Sequence, residues 1–273
     1  MLKSFAKNWL PPAMARWIRR VLLRRVGIRF KGEFTSWEEA VAKSSGFDEE
    51  HILDRVLDAT RKVKRGEAAF ERDSVLFDDI QYSWPLLAGL MWAAARNGGV
   101  LNVLDFGGAL GSSYYQNRKF LCSLKSVRWN VVEQTHFVEA GRACMQDDHL
   151  RFHLTVEECL ESNVPNVVLL SGVLQYIPDP KDLLKKLLAA GCNTFILDRT
   201  CYVNDGGKER IRIQHVPASI YPASYPCRFL VEEDVLGTFA AAGYTMVERF
   251  AALDNLDPSA TWKGHIFLRQ SRV

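Results

Sequence analysis

The stretch NVLDFGGALGSSYYQNRKF, residues 102–120, joins an apolar strand pattern to a helical pattern through three glycines. Its apolar run ends near an acid, Asp105, and the turn that follows contains Gly107, Gly108 and Gly111. Glycine permits the left-handed backbone that a tight turn needs, and it lets a ligand approach the main chain closely. The stretch therefore predicts a strand, a ligand-binding turn and a helix in succession.

Strand and helix patterns alternate along the chain from residue 100 onward. The runs VLNVLDF, NVVLLS and TFILD are almost continuously apolar, as expected for strands that helices cover on both faces. This alternation indicates an α/β fold with a doubly wound, mostly parallel sheet of seven strands. Strands are predicted at 100–106, 127–133, 150–153, 166–171, 193–199, 244–251 and 264–269, with helices near 112–124, 135–146, 155–162, 179–190 and 230–242.

A segment rich in proline and tyrosine, residues 200–229, interrupts this alternation. It follows the fifth predicted strand, at the carboxyl edge where open α/β sheets bind their ligands. Because long ordered loops are usually functional, we expect this segment to be a loop that shapes a substrate pocket. Tyr221 and Tyr225 within it offer flat faces for a sugar ring.

Two cofactor patterns compete for the glycine turn. The dinucleotide fingerprint G-x-G-x-x-G would place Phe106 where its first glycine is needed, and phenylalanine suits that tight turn poorly. The D-x-G-x-G-x-G turn of S-adenosylmethionine-dependent methyltransferases fits Asp105, Gly107 and Gly111, and only its middle glycine is displaced, to the neighbouring Gly108. A carboxylate at the strand end suits the ammonium group of the methionine moiety. S-adenosylmethionine is therefore the predicted cofactor, and a plain strand-to-helix turn is the alternative.

Neighbouring residues extend the predicted cofactor site. The helix that begins at Ser112 turns its free N–H groups toward the ligand, which suits the methionine carboxylate. The second strand ends in Glu133, which is placed to accept hydrogen bonds from both ribose hydroxyls. The fourth strand ends at Ser171, and a polar and aromatic turn with Gln175 and Tyr176 follows. We expect Ser171 at the cofactor and both turn residues in the pocket, with a core position as an equal alternative for Tyr176.

The 273-residue chain is large enough for one sizeable core, and its charge is uneven. Residues 1–31 hold nine lysines and arginines and no acid, which leaves 26 basic against 32 acidic residues in the remainder. The pattern of residues 13–26 predicts a basic amphipathic helix, because apolar side chains recur along one face and the arginines lie largely on the opposite face. Such a helix binds an anionic membrane surface or an acidic partner, or packs on its own domain with the basic face in water.

Cysteine spacing and hydropathy limit the cellular setting. The six cysteines show neither a C-x-x-C motif nor paired metal-ligand spacing, so we expect buried thiols and no metal site. No apolar run approaches the ~20 residues needed to span a bilayer. These features predict a cytoplasmic protein, with peripheral contact at the inner membrane surface through residues 13–26.

Three segments are predicted along the chain. Residues 1–31 form the basic amphipathic segment, 32–99 a helical extension packed on the core, and 100–273 the Rossmann-like domain. Within the extension, Ser36 and Glu39 make a capping box for a short helix. Further helices of the extension are expected at about 48–65 and 83–98.

Longer blocks of the sequence resemble a bacterial family. They read ERDSVLFDDIQYSWPLLAGLMWAAARNGG, NVLDFGGALGSSYYQNRKFL, WNVVEQ, VVLLSGVLQYIPDP, LDRT and QHVPASIYPASYPCRFL, and the resemblance covers roughly residues 30–270. The family comprises class I S-adenosylmethionine-dependent methyltransferases, whose genes often lie beside those for surface-polysaccharide synthesis. It implies the usual seven-stranded sheet with an antiparallel last strand, here GHIFLR. Ala109 departs from the class I pattern, and the matched cofactor positions are Asp105, Gly107, Gly111 and Glu133.

Methyl transfer from a sulfonium is an in-line displacement, so positioning dominates, and a hydroxyl acceptor also needs a base. His215 has a suitable ordinary pKa and lies in the expected substrate loop, and Asp198 lies at the end of the fifth strand. Both are candidate bases, while a bond to the loop backbone is the alternative for His215. Arg199 and Arg212 are candidates for gripping a phosphate or carboxylate on the acceptor.

The sequence leaves three functions open. We favour O-methylation of a sugar or of another small-molecule or glycan acceptor. Phe106 and Asp105 argue against a nicotinamide-dependent enzyme on the same fold. A non-catalytic cofactor-binding or scaffolding protein stays open, because no base is obvious. The chain lacks a D-P-P-Y-type amine-methylating signature, so nucleic acid is not an expected partner.

Overall fold

The computed structural model describes residues 27–46, 50–204, 206–218, 220–254 and 256–270. The predicted amphipathic helix over residues 13–26 lies outside them. Within the described part of the chain, no helix is long and apolar enough to cross a membrane.

The described strands belong to three sheets. In chain order they are β1 (Arg29–Phe34), β2 (Phe70–Arg72), β3 (Val75–Phe77), β4 (Val100–Phe106), β5 (Ser126–Val132), β6 (Leu150–His153), β7 (Val167–Ser171), β8 (Thr194–Val203), β9 (Arg210–Val216), β10 (Ala223–Phe229), β11 (Tyr244–Ala251) and β12 (Ala260–Arg269). The largest sheet has seven strands, a second has three, and β2 pairs with β3.

The seven-stranded sheet has the order β11-β12-β8-β7-β4-β5-β6. Its pairs from β4 to β8 are parallel, whereas β12 runs antiparallel to both β8 and β11. The chain leaves β4 toward β5 and β6 and then returns to β7 on the other side of β4, which makes the crevice between β4 and β7 the topological switch point. The predicted doubly wound, mostly parallel sheet of seven strands is therefore confirmed.

Helices pack beside the strands and connect them. The described helices are α1 (Trp37–Ala42), α2 (Glu50–Arg65), α3 (Trp84–Arg96), α4 (Ser112–Leu121), α5 (Thr135–Cys144), α6 (Val156–Ser162), α7 (Pro180–Ala189) and α8 (Glu232–Ala241), with a 3-10 turn at Leu174–Tyr176. Ser36 caps α1 by accepting the N–H of Glu39 at 3.1 Å. In a capping box the Glu39 carboxylate would also accept the main-chain N–H of Ser36. Here it accepts the N–H and the hydroxyl of Thr35 instead.

The core forms apolar layers on both faces of the seven-stranded sheet. Along β4, Val103 packs in one layer with Trp129, and its neighbour Leu104 packs in the other with Val168. All four side chains are fully buried. Burial on both faces explains why these strands are almost continuously apolar in sequence, and why their positions can be predicted from it.

The three-stranded sheet corrects the expectation of a long loop over residues 200–229. Strand β8 continues to Val203, and β9 lies antiparallel between β1 and the edge strand β10. In β9, the buried residues Ile211 and Ile213 alternate with Arg212, which is the period-two pattern of a strand. The alternation covers too few residues to predict a strand from the sequence. An edge position in β10 accommodates Pro226, which cannot donate a ladder hydrogen bond.

The extension over residues 32–99 also contains strands. Strand β1 spans the predicted boundary at residue 31 and supplies one edge of the three-stranded sheet. Strands β2 and β3 form a hairpin whose two turn residues, Asp73 and Ser74, have φ values of +52° and +65°. Stacking of Phe70 on Phe77, with ring centroids 5.7 Å apart, stabilises this hairpin. The extension is therefore a mixture of helices and strands.

Candidate active site

The glycine turn after β4 depends on close packing as well as on left-handed backbone. Gly107 and Gly111 have φ values of +70° and +91°, which side chains disfavour. A Cβ atom at Gly107 would lie 2.4 Å from Cγ2 of Val173. A Cβ atom at Gly108 would lie 2.5 Å from Oδ2 of Asp105. The turn thus requires glycine at these positions and lies at the topological switch point, where open α/β sheets bind ligands.

Asp105 is buried against the turn from the core side. Its Oδ2 accepts the indole N–H of Trp129 at 2.8 Å, and its Oδ1 has no hydrogen-bond partner among the described residues. Burial raises the pKa of Asp105 to about 7, and the nearby Glu133 charge adds to the increase. An unpaired buried acid beside a glycine turn is a typical feature of a functional site.

Glu133, directly after β5, links the turn to the neighbouring strand end. Its Oε1 accepts the N–H of Ala109 at 3.3 Å, and its Oε2 accepts the N–H of Gln134 at 2.7 Å. Ala109, where the class I pattern has glycine, adopts left-handed backbone with φ +50°. Burial raises the pKa of Glu133. Because a carboxylate has about four lone-pair sites, these two bonds leave capacity for the hydroxyls of a ligand.

Asp198 and Ser171 meet at the carboxyl edge, on the paired strands β8 and β7. The Ser171 hydroxyl donates to Oδ2 of Asp198 at 3.2 Å. The Asp198 side chain is buried, and its Oδ1 has no hydrogen-bond partner among the described residues. Burial raises the pKa of Asp198 to about 6. The structure thus brings together two residues that the sequence assigned separately.

A bulge in β8 aims side chains at this edge. Asp198 and Arg199 together face the single residue Gly264 of β12, and Arg199 adopts left-handed backbone with φ +55°. Bulges of this kind change the direction of side chains and occur often beside active sites. Gln175 donates from Nε2 to the main-chain oxygen of Arg199 at 3.1 Å, which ties the turn after β7 to the bulge.

The two arginines expected to grip an acceptor form ion pairs within the chain. The Arg199 guanidinium contacts Asp254 at 2.6 Å and Asp73, at the tip of the β2–β3 hairpin, at 3.2 Å. Arg212 contacts Asp257 at 3.0 Å and donates to main-chain oxygens of β1. Both guanidinium groups therefore have acidic partners within the chain.

Three tyrosines and a glutamine form a buried polar cluster beside the 3-10 turn. The Tyr176 hydroxyl donates to Oε1 of Gln214 at 2.8 Å, and Nε2 of Gln214 donates to the Tyr225 hydroxyl at 3.0 Å. The rings of Tyr176 and Tyr225 meet edge to face with centroids 5.3 Å apart. Burial raises the pKa of both and of their neighbour Tyr221. Both predicted sugar-binding tyrosines thus lie with Tyr176 in one cluster.

His215 lies on the opposite face of β9 from this cluster. Successive side chains of a strand point to opposite faces, so His215 points away from the face of Gln214. Its register partner Ser224 lies on that outer face and exchanges hydrogen bonds with Ser45. Burial, with the Lys31 charge, lowers the pKa of His215. His215 therefore lies on a regular strand and not in the expected loop, and it faces away from the tyrosine cluster.

Glu71 joins the site although the sequence analysis did not identify it. Its carboxylate accepts a hydrogen bond from the hydroxyl of Ser112, the first residue of α4, and lies 3.3 Å from the N–H of Ser74. Burial raises the pKa of Glu71 to about 7. The pair Asp73-Ser74 between the short runs FER and VLF is a weak hairpin signal that could have located this residue.

The described residues include free cysteine thiols but no cluster of metal ligands. Within the described ranges, no three His, Cys, Asp or Glu side chains form a group that could hold a metal ion. Four of the six cysteines are buried thiols, whereas Cys144 is half-buried and Cys122 is exposed. The thiols therefore contribute mainly to packing.

No protein-family model matches the sequence, and no curated protein matches it. Among solved structures, the chain is similar to the N-terminal domain of EvdMO1 in the presence of SAH and D-fucose, at 15% identity over 82% of this chain and 100% of that chain, with a TM-score of 0.47. It is also similar to an S-adenosylmethionine-dependent methyltransferase from Clostridium acetobutylicum ATCC 824, at 12% identity over 80% and 99% of the chains and a TM-score of 0.46. A third is SAM-bound CalS10, an amino pentose methyltransferase from Micromonospora echinaspora, at 11% identity over 69% and 92% of the chains and a TM-score of 0.45.

Proposed function

We propose that this chain is an S-adenosylmethionine-dependent methyltransferase that methylates a hydroxyl oxygen of a sugar or of another small-molecule or glycan acceptor. One observation carries the proposal: Asp105 and Glu133 end adjacent parallel strands and flank a glycine turn at the topological switch point. An antiparallel strand, β12, is inserted between β8 and β11. Sheets that bind dinucleotides have a different order without such a strand, so the topology favours this cofactor over a nicotinamide.

The residues around the turn fit the parts of this cofactor. Glu133 retains acceptor capacity for the two ribose hydroxyls. Gly111 caps α4 without any side-chain hydrogen bond, so the first-turn N–H groups suit a carboxylate. The unpaired Oδ1 of Asp105 offers a further acceptor beside the turn. When bound, S-adenosylmethionine supplies an electrophilic methyl group on a sulfonium.

We assign the general base to Asp198. Its raised pKa, about 6, keeps the carboxylate ionised at neutral pH and makes it a stronger base than an ordinary aspartate. The Ser171 hydroxyl orients one carboxylate oxygen and leaves Oδ1 for the acceptor. Asp198 would take the proton from the acceptor hydroxyl, so that this oxygen is ready to receive the methyl group that the bound cofactor supplies.

The surrounding residues favour an acceptor that presents an uncharged sugar ring to the site. Asp254 and Asp73 neutralise Arg199, which removes the nearest candidate for binding a phosphate or carboxylate. The cluster of Tyr176, Gln214 and Tyr225 provides aromatic rings and hydrogen-bonding groups, which is the chemistry that sugar rings require. The resemblance to a family associated with surface-polysaccharide synthesis supports the same acceptor class.

A methyl-transfer assay tests this proposal. The protein would be incubated with S-adenosylmethionine carrying a labelled methyl group and with nucleotide sugars or lipid-linked glycans. We expect label in one acceptor class, on oxygen, together with release of S-adenosylhomocysteine. Binding of the cofactor without transfer to any acceptor of a broad panel would instead favour the non-catalytic alternative.

A further inference from the structure

The β2–β3 hairpin brings one acid to the first residue of the helix that follows the glycine turn. Glu71 of β2 accepts a hydrogen bond from the hydroxyl of Ser112, which directly follows Gly111. The tip of the same hairpin is held across the site by the contact of Asp73 with Arg199 at 3.2 Å. These two contacts, one at Glu71 and one at the tip of the hairpin, fix Glu71 beside the glycine turn.

Glu71 is a buried acid without a cationic partner. Its side chain is 1% exposed, and no lysine or arginine among the described residues lies within 4.0 Å of its carboxylate. Burying a carboxylate without a counter-charge is costly, which is why its pKa rises to about 7. A ligand that brings a cation to this position would recover that cost.

The N-terminus of α4, beside Glu71, is suited to bind a negative charge. Gly111 provides no side-chain cap, so the first N–H groups of α4 and the positive end of the helix dipole are available for an anion. A carboxylate for the helix and an ammonium for Glu71 would both be supplied by the α-amino-acid end of S-adenosylmethionine. Asp105, by contrast, packs against Gly108 from the core side, where its carboxylate occupies the space of a Cβ atom.

We propose that Glu71 is a cofactor-binding residue, which pairs with the ammonium group of the methionine moiety while the first turn of α4 binds the carboxylate. This inference rests on the proposed function and adds a ligand-binding residue to it. It also gives the β2–β3 hairpin a function, since the hairpin carries the acid to the cofactor.

Calorimetric titration with two ligands tests this assignment. S-adenosylhomocysteine carries the amino-acid end, and 5′-methylthioadenosine keeps the adenosine and the thioether but lacks that end. We expect Glu71→Gln to weaken S-adenosylhomocysteine about 10- to 100-fold, the range for losing a charged hydrogen bond, and to leave 5′-methylthioadenosine unchanged. Glu67→Gln, at an exposed acid of the same segment, should change neither affinity.

The two ligands separate binding from a structural role. Equal weakening of both ligands by Glu71→Gln, or no weakening of either, would overturn the assignment. Should the glutamine variant fail to fold, Glu71→Asp retains the charge, and an S-adenosylhomocysteine affinity below that of the wild type with unchanged 5′-methylthioadenosine affinity is expected. A wild-type protein that binds neither ligand would instead refute the proposed function itself.

Discussion

Three buried acids at the carboxyl edge of the sheet share one property. Burial raises the pKa of Glu71 and Asp105 to about 7 and that of Asp198 to about 6. Ionisation of each acid near neutral pH therefore lowers the free energy of unfolding. Buried acids with such raised pKa values occur mainly at functional sites. The sequence identified Asp105 and Asp198 from their strand ends, but it could not show that they are buried and incompletely hydrogen-bonded.

Replacing Asp105 by asparagine should remove a pH-dependent loss of stability. The folded-state pKa of Asp105 lies above its ordinary value, so the wild-type free energy of unfolding decreases as pH rises toward about 7. Asp105→Asn keeps an acceptor for Trp129 and cannot ionise. Between pH 5 and pH 8 the variant should gain about 2–3 kcal/mol on the wild type, at 1.36 kcal/mol per pKa unit. Urea unfolding at the two pH values measures this difference, and parallel pH profiles would refute the raised pKa.

Replacing Asp198 by asparagine should lower turnover by about 10²- to 10⁴-fold, the range for loss of a general base. Affinity for S-adenosylhomocysteine should be retained. In the wild type the rate should increase as pH rises through about 6, because only the ionised carboxylate accepts a proton. His215→Ala is the matched control and should keep full activity, since His215 faces away from the tyrosine cluster. The opposite ranking of the two variants would return the base assignment to His215.

At the scale of secondary structure, burial on both sides explains which elements the sequence predicts well. Strands β4 and β7 are almost continuously apolar, and their observed limits agree with the predicted ones to within one residue. Strands β9 and β10 contain Arg212, Gln214 and Pro226, and β9 depends on pairing with β1, which lies about 180 residues earlier. Local patterns carry no information on such distant pairing, so this sheet was predicted as a loop.

The glycine turn should tolerate no side chain at Gly108. A Cβ atom there would lie 2.5 Å from the Asp105 carboxylate, which Trp129 holds in place. We expect Gly108→Ala to lower the melting temperature and to abolish S-adenosylhomocysteine binding. Gly237→Ala is the control, because that glycine lies in α8 with nothing within 4 Å of a new Cβ atom. It should be neutral or stabilising by about 0.5–1 kcal/mol, and equal behaviour of both variants would contradict the packing argument.

At the scale of the whole molecule, the site collects residues from distant parts of the chain. Glu71 contacts Ser112 from 41 positions away, and Asp254 contacts Arg199 from 55 positions away. Sequence patterns predicted the half of the site that lies on consecutive strands, because strand ends share one edge of the sheet. The other half depends on how the hairpin and the segment after β11 pack across that edge, which only the three-dimensional structure describes.

The basic N-terminal segment predicts a salt-dependent contact with anionic membranes. Residues 13–26 lie outside the described structure, so a variant lacking residues 1–26 leaves β1 and its pairing with β9 intact. The full chain should co-sediment with vesicles that contain anionic phospholipid, less so at higher salt, and the shortened variant should not. Both should bind S-adenosylhomocysteine equally. Equal co-sedimentation of the two proteins would favour a helix that packs on its own domain.

The affinity of S-adenosylhomocysteine for the wild type and for Glu133→Ala tests the central claim most directly. Calorimetry should show one site in the wild type, no binding of NAD, and a loss of about 1–3 kcal/mol in Glu133→Ala, because the ribose hydroxyls lose a charged acceptor. Glu139→Ala, at an exposed acid of α5, should bind like the wild type. Unchanged affinity in Glu133→Ala, or a wild type that binds NAD and not S-adenosylhomocysteine, would contradict the claim that this turn and its two strand-end acids hold S-adenosylmethionine.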